Sequence, residues 1–283
     1  TTLRVMVTPL MVPCTPAARM PSPRAFVTVK PCTRTWELTI TTPAKMVSFA
    51  TCVGFTTKDG LTPFSLMVAC RPISETGFAG LGVGAAMYGL RPVIEFMTWS
   101  FSFVAYDQIV NNAAQVRYMS GGQLSVPIVF RGSSGGGLQV GATHSHTPEN
   151  WYANVPALTV ITPAFPDDAK GLLKSAIRSN NPVCFIENEK LYGYEDEVPE
   201  GEYLIEIGKA RVRREGRDLT VVSNSASTHR ALNAAKQLES EGFSIEVIDW
   251  RAIKSLDFAT IAGSVARTNR LLIVEESEPV AGC

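Results

Sequence analysis

The sequence predicts an α/β protein of two domains, each built on a doubly wound parallel sheet. Three observations point there. Residues 91–97, 126–130, 158–162 and 183–187 are short, largely apolar runs without strict alternation, as strands buried on both faces are. They alternate with longer segments of helical period, the pattern of strand–helix–strand units. An acidic, polar stretch at 193–203, GYEDEVPEGEY, separates a first such series from a second, and 283 residues with 45% hydrophobic content suffice for two cores.

Taken in order, residues 1–70 stand apart. They hold seven Lys or Arg but only two acids, with eight prolines that would interrupt most elements. A basic, hydroxyl-rich leader of the mitochondrial kind is one account of this composition, and translation in another reading frame is a second. From residue 71 the pattern becomes regular. Ser74 is placed to cap a helix beginning at Glu75, and Gly77, Gly80, Gly82 and Gly84 make its surface narrow enough for another backbone to approach. A strand at 91–97 leads to a helix at 103–119, stopped by Gly121 and Gly122. Strands at 126–130, 158–162 and 183–187 follow, with a helix at 167–178 introduced by Pro166. The second series reads as strands at 204–213, 219–223, 245–250 and 271–275, with helices at 228–241 and 258–266. Three parallel strands without closing helices would leave one sheet face poorly covered, so this domain is expected to be truncated.

Composition excludes several classes. Net charge is zero and no basic run exists, which speaks against nucleic acid. No apolar stretch approaches the roughly 20 residues of a membrane-spanning helix. The six cysteines form no CxxC pair and have no histidine at zinc-ligand spacing. Gly80, Gly82 and Gly84 do not make a dinucleotide fingerprint, since the spacing is wrong and they lie within a helix. What remains is an acid at a helix start, Glu75, ahead of an aromatic cluster at 99–103, and a His-x-His pair, His144 and His146, for which no third metal ligand is evident.

The motifs PISETGFAG, GLRPVIEFMTW, AYDQIVNNAAQVRYMSGGQ, VPIVFRG, HSHTPENWYANVP and DDAKGLLKSAIRSNNPV, in this order, resemble the beta subunits of thiamine-diphosphate-dependent pyruvate dehydrogenase. The resemblance runs from residue 72 to about 279 and implies an atypical segment at 1–70, a pyrimidine-binding domain at 71–192 and a truncated transketolase C-terminal-like domain at 203–283. It implies that Glu75 hydrogen-bonds the aminopyrimidine ring of thiamine diphosphate, with Ile73, Met97 and Phe101 around the ring. An acid is needed there because proton sharing with the ring nitrogen lets the cofactor's own imino group remove the thiazolium proton. His144 is implied at the substrate end, where it would steady the charged intermediate or assist transfer of the acetyl group to lipoyl.

A structural potassium ion is implied at Ile128, Ala176, Ile177, Ser179 and Asn181, held chiefly by backbone carbonyls, with Ser179 standing where an acid is usual. Magnesium and the cofactor's diphosphate would belong to an alpha subunit, in an alpha2 beta2 assembly docked on dihydrolipoyl acetyltransferase. The compartment implied is the mitochondrial matrix in a eukaryote and the cytoplasm otherwise. The loop at 131–146 departs from the family's pattern, as do residues 1–71, where the family carries an acidic helix and strand. Branched-chain 2-oxo acid dehydrogenase shares the plan, and an inactive scaffold that only binds its partners is the reading from another class. A self-sufficient transketolase-like synthase would need the diphosphate-binding half in the same chain.

Overall fold

The computed structural model describes residues 74–134, 139–277 and 282 in full and, before residue 74, the backbone of five strands. Of these, β1 (Thr2–Arg4), β2 (Phe26–Cys32) and β3 (Thr35–Thr41) form a sheet of their own, in the order β1-β3-β2. The hairpin β4 (Thr51–Phe55) and β5 (Ser65–Ala69) instead joins the main sheet, so strands of the first domain occur on both sides of the composition change at residue 70.

The main sheet continues with β6 (Val93–Thr98), β7 (Val129–Ser134), β8 (Thr159–Ile161) and β9 (Val183–Asn188). Strands β5, β6, β7, β9 and β8 are parallel neighbours in that order. Both faces are covered, as the largely apolar strands require. In β9 the alternation is plain: Val183 and Phe185 pack with Leu172 and Ala176, whereas Cys184 and Ile186 join the cluster of Phe78, Val83, Phe96, Trp99 and Ile109. The first face is covered by α4 (Pro166–Arg178). On the opposite face lie α1 (Glu75–Met87) and a helical stretch from Trp99 to Met119 ending in α2 (Val116–Met119), with the short α3 (Glu149–Ala153) beyond.

Several boundaries differ from expectation for identifiable reasons. The helix expected over 103–119 begins as a 3-10 helix, Trp99–Ala105, and continues as a π-helix, Gln108–Gln115. The 3-10 segment holds Trp99 edge to face with Tyr152 at 5.0 Å, with the Tyr152 hydroxyl 2.6 Å from Ser102 Oγ. The strand expected at 126–130 starts three residues later because Pro127 has no N–H to give the ladder, and the amide of Ile128 turns back to the Val126 carbonyl. Ser74 occupies the N-cap position of α1, but its side chain makes no capping bond. Gly121 and Gly122 end α2 as expected, both at positive φ, with amides returning to the carbonyls of Tyr118 and Arg117.

The second domain is a four-stranded sheet ordered β10-β12-β11-β14: β10 (Arg211–Arg214), β11 (Leu219–Ser223), β12 (Ile245–Asp249) and β14 (Leu271–Val274). Strands β12, β11 and β14 are parallel; β10 is antiparallel and much shorter than the expected strand at 204–213, since Gly208 turns the chain at positive φ. Helices α5 (Ser225–Glu239) and α6 (Phe258–Thr268) pack on it.

The stretch 193–203 is exposed, yet the domains do not hang loosely from it. A strand of the second domain, β13 (Ala252–Lys254), pairs antiparallel with β8 of the first. A buried ion cluster also crosses the boundary: Asp168 on α4, fully buried, accepts from Arg251 Nε at 2.9 Å and Nη2 at 2.6 Å and from Arg213, which also reaches Asp249 at 3.0 Å. Burial and the Asp168 charge lift the Asp249 carboxyl to about 6 against the pull of Arg213.

Candidate active site

In parallel α/β sheets, ligands bind beyond the carboxyl ends of the strands. Three of the expected residues follow such ends in succession: Glu75 comes shortly after β5, Phe101 directly after β6, and His144 in the loop after β7.

Glu75 is the first residue of α1 and is 94% buried, that is, 6% exposed. Its Oε2 has no partner among the described residues. A buried carboxylate oxygen left unpaired carries a desolvation cost of about 1–3 kcal/mol, so such an atom is expected to have a bonding partner in the working state. The helix start is fixed by its neighbour: the Thr76 hydroxyl donates to the Val104 carbonyl in the 3-10 helix that carries Phe101.

Phe101 is half-buried, and its ring meets His144 edge to face with centroids 5.0 Å apart. His144 lies at the end of a short 3-10 turn, Ala142–His144, and its Nδ1 is buried without a partner among the described residues. Two residues further along each segment the contact repeats, with Phe103 and His146 at 5.0 Å. Ser100 Oγ lies 3.0 Å from His146 Nδ1, and Phe103 stacks on Trp151 at 4.8 Å. Met97, near the carboxyl end of β6, is 58% exposed. Ile73 lies outside the described residues.

The site therefore gathers an orphaned acid, an aromatic–histidine ladder and an open apolar edge on one side of the sheet. An unpaired buried carboxylate with a half-buried aromatic nearby suits a ring that offers a nitrogen and a flat face, as the pyrimidine of thiamine diphosphate does. The residues present fit that group.

The five positions expected to hold potassium lie elsewhere. Ile128 and Asn181 precede β7 and β9, and Ala176, Ile177 and Ser179 sit at the carboxyl end of α4, together with Arg91.

Glu149, which the sequence did not single out, is buried at the start of α3. Burial raises its carboxyl to about 7, and the charges of Glu276 and Glu275, at the end of β14, push the same way. Glu276 is itself held by Asn188 Nδ2 at 2.6 Å and Arg230 at 2.7 Å. The acid lies in the motif HSHTPENWY, but nothing in that spacing reveals that a carboxylate pair 126 and 127 positions later faces it.

The α1 glycines divide by role. A Cβ on Gly82 would lie 2.6 Å from Ile94 Cδ1, so this glycine serves packing within the chain. At Gly84 a Cβ would meet nothing within 4 Å, leaving that face open to a neighbour.

Known proteins resemble the chain in the same places. The transketolase pyrimidine-binding domain matches residues 48–195 and the transketolase C-terminal domain residues 208–283. The chain is 52% identical over 213 residues to the pyruvate dehydrogenase E1 component subunit beta of Rhizobium meliloti, covering 75% of this chain and 46% of that protein. Its identity to the mitochondrial counterpart of Pisum sativum is 53% over 215 residues, and to that of Bos taurus 51%, each over 75% of this chain and 60% of the relative. It thus spans about half to three fifths of the length of these relatives.

Among solved structures, a split-gene transketolase described as an inactive beta4 tetramer superposes with a TM-score of 0.62 at 25% identity, over 74% of this chain and 65% of that one. A transketolase from Pichia stipitis shares the fold, with a TM-score of 0.57 at 19% identity over 71% of this chain and 29% of that one. From residue 48 onward, in sequence and in fold, the chain belongs to the transketolase family.

Proposed function

We propose that the chain is the beta subunit of a heteromeric pyruvate dehydrogenase that decarboxylates pyruvate and passes the acetyl group to lipoyl on dihydrolipoyl acetyltransferase, toward acetyl-CoA. The observation that carries the reading is the buried Glu75 Oε2 at the start of α1, without a partner among the described residues and one residue from the bond that fixes the Phe101 segment. Identity of 51–53% to proteins named as that subunit supports it.

Thiamine diphosphate, when bound, supplies the nucleophilic carbon and the electron sink for decarboxylation. Glu75 would share a proton with the pyrimidine nitrogen through Oε2, and its burial would keep water from competing for that bond. Phe101, Met97 and Ile73 would wall the ring. His144, held edge-on by Phe101, would present a ring nitrogen to the negative charge that develops on the substrate oxygen or on lipoyl sulfur. The diphosphate and Mg2+ would be held by an alpha subunit, in an alpha2 beta2 heterotetramer to which the open face at Gly84 would contribute. The functional boundaries are a pyrimidine-binding domain at 71–192, preceded in its sheet by the β4–β5 hairpin, and a C-terminal-like domain at 203–283, in the mitochondrial matrix of a eukaryote or the cytoplasm of a bacterium.

The test is reconstitution with a matching alpha subunit, thiamine diphosphate, Mg2+ and either pyruvate or a branched-chain 2-oxo acid, with carbon dioxide release as readout. Faster release from pyruvate is expected. Faster release from the branched-chain acid would move the assignment to that enzyme, and assembly without any release would leave a scaffold.

A further inference from the structure

The loop between α1 and β6 carries Arg91, a half-buried arginine that sits among the carbonyls expected to hold potassium. Its Nη1 donates to the Ile177 carbonyl at 3.0 Å and to the Ser179 carbonyl at 2.6 Å, and its Nη2 to Asn180 Oδ1 at 2.5 Å. Ile177 is in the last turn of α4, where helix carbonyls lack partners within the helix and the helix dipole favours positive charge. The guanidinium is thus a cap supplied from a segment 86 positions away.

The other three positions are engaged as well. The Ile128 carbonyl accepts from the Val183 amide at 2.9 Å, the Ala176 carbonyl from the Ser179 amide at 3.1 Å, and the Asn181 carbonyl from the Ser179 hydroxyl at 3.3 Å. No carboxylate stands among the five, since residue 179 is serine. A carbonyl-held alkali ion needs several oxygens turned toward one point. Here two of the five are turned toward a fixed positive charge, and an added ion would face that like charge without an acid to offset it. The donor set does not fit potassium.

We infer that Arg91 is itself the cation of this carbonyl cluster, and that the fold takes up no potassium there. A tethered guanidinium offers planar, directed donors that match two carbonyls and an amide oxygen at once and remains charged at any physiological pH. Partial burial lowers its pKa from the ordinary arginine value without discharging it. The inference concerns stability of the chain and does not depend on which substrate the assembly uses.

Thermal unfolding of the full chain in potassium, sodium and choline chloride at equal ionic strength tests it, and Arg91→Gln, which keeps amide donors but removes the charge, is measured beside it. An ion present at roughly a hundredfold above its dissociation constant would raise Tm by several degrees. The wild type is expected to show the same Tm in all three salts. The variant is expected to melt lower in sodium and choline and to regain Tm selectively in potassium, or to lose Tm equally in every salt if glutamine leaves the cluster closed to ions. A potassium-specific rise in the wild-type Tm would overturn the inference even if the variant does not fold, and so would an Arg91→Gln protein as stable as the wild type in every salt.

Discussion

Replacing Glu149 with glutamine is expected to stabilise the protein above neutral pH and to leave it little changed in acid. Burial, reinforced by the Glu276 and Glu275 charges, holds the Glu149 carboxyl at about 7 in the folded chain, against 4.5 for an ordinary glutamate. A folded-state pKa raised in this way favours the protonated form, so the stability tied to it is complete below the unfolded pKa and is lost as pH rises through the folded one. Across that window the difference amounts to about 3 kcal/mol, an upper figure that solvent entry would reduce. Glutamine is neutral throughout, fits the same space and offers an amide donor toward the two glutamates. Urea unfolding of both proteins at pH 5 and pH 8 would show the variant gaining on the wild type by up to about 3 kcal/mol at the higher pH. Curves that stay parallel between the two pH values would refute the reasoning, because Glu149 would then be ionised in the folded chain as readily as in the unfolded one.

Other consequences follow from packing and charge. Gly82→Ala should lose about 1–3 kcal/mol to the contact of the new Cβ with Ile94 and Ile128, partly offset by alanine's better helix propensity. Gly84→Ala, whose Cβ meets nothing, should gain up to about 1 kcal/mol in the chain alone yet weaken assembly with an alpha subunit; urea unfolding and analytical ultracentrifugation separate the two effects. Asp168→Asn leaves Arg213 and Arg251 short of their buried acid and should cost about 3–5 kcal/mol, seen as a lowered urea midpoint.

Much of the architecture was legible because it rests on local pattern. The runs that became β6, β9, β11 and β12 are largely apolar on both sides, the pattern of a parallel sheet covered by two helix layers. Pro166 and the two acids after it mark the start of α4. The start of α1 at Glu75 was readable too, although the cap expected from Ser74 is absent.

What was not legible depends on partners far apart in the chain. The π-helix at Gln108–Gln115 belongs to a stretch that packs around Trp99 and Tyr152, a pair 53 positions apart that no helical period encodes. The domain-crossing cluster joins Asp168 to arginines 45 and 83 positions away, each of which reads on its own as an ordinary surface charge. Arg91 is the same case: within GLRPV it is one basic residue before a strand, and its use at the end of α4 is visible only once the sheet has brought the two together.

The role of Glu75 is tested most directly by the rate at which the thiazolium carbon of bound thiamine diphosphate exchanges its proton for deuterium, followed by NMR in the assembled alpha and beta subunits. With pyruvate absent, this isolates the proton step from binding and transfer. Glu75→Gln should slow the exchange by about 10²–10⁴-fold, the usual contribution of a positioned acid, while the subunits still assemble and the cofactor still binds. Exchange at the wild-type rate in that variant, with the cofactor bound, would contradict the assignment of this carboxylate to the cofactor.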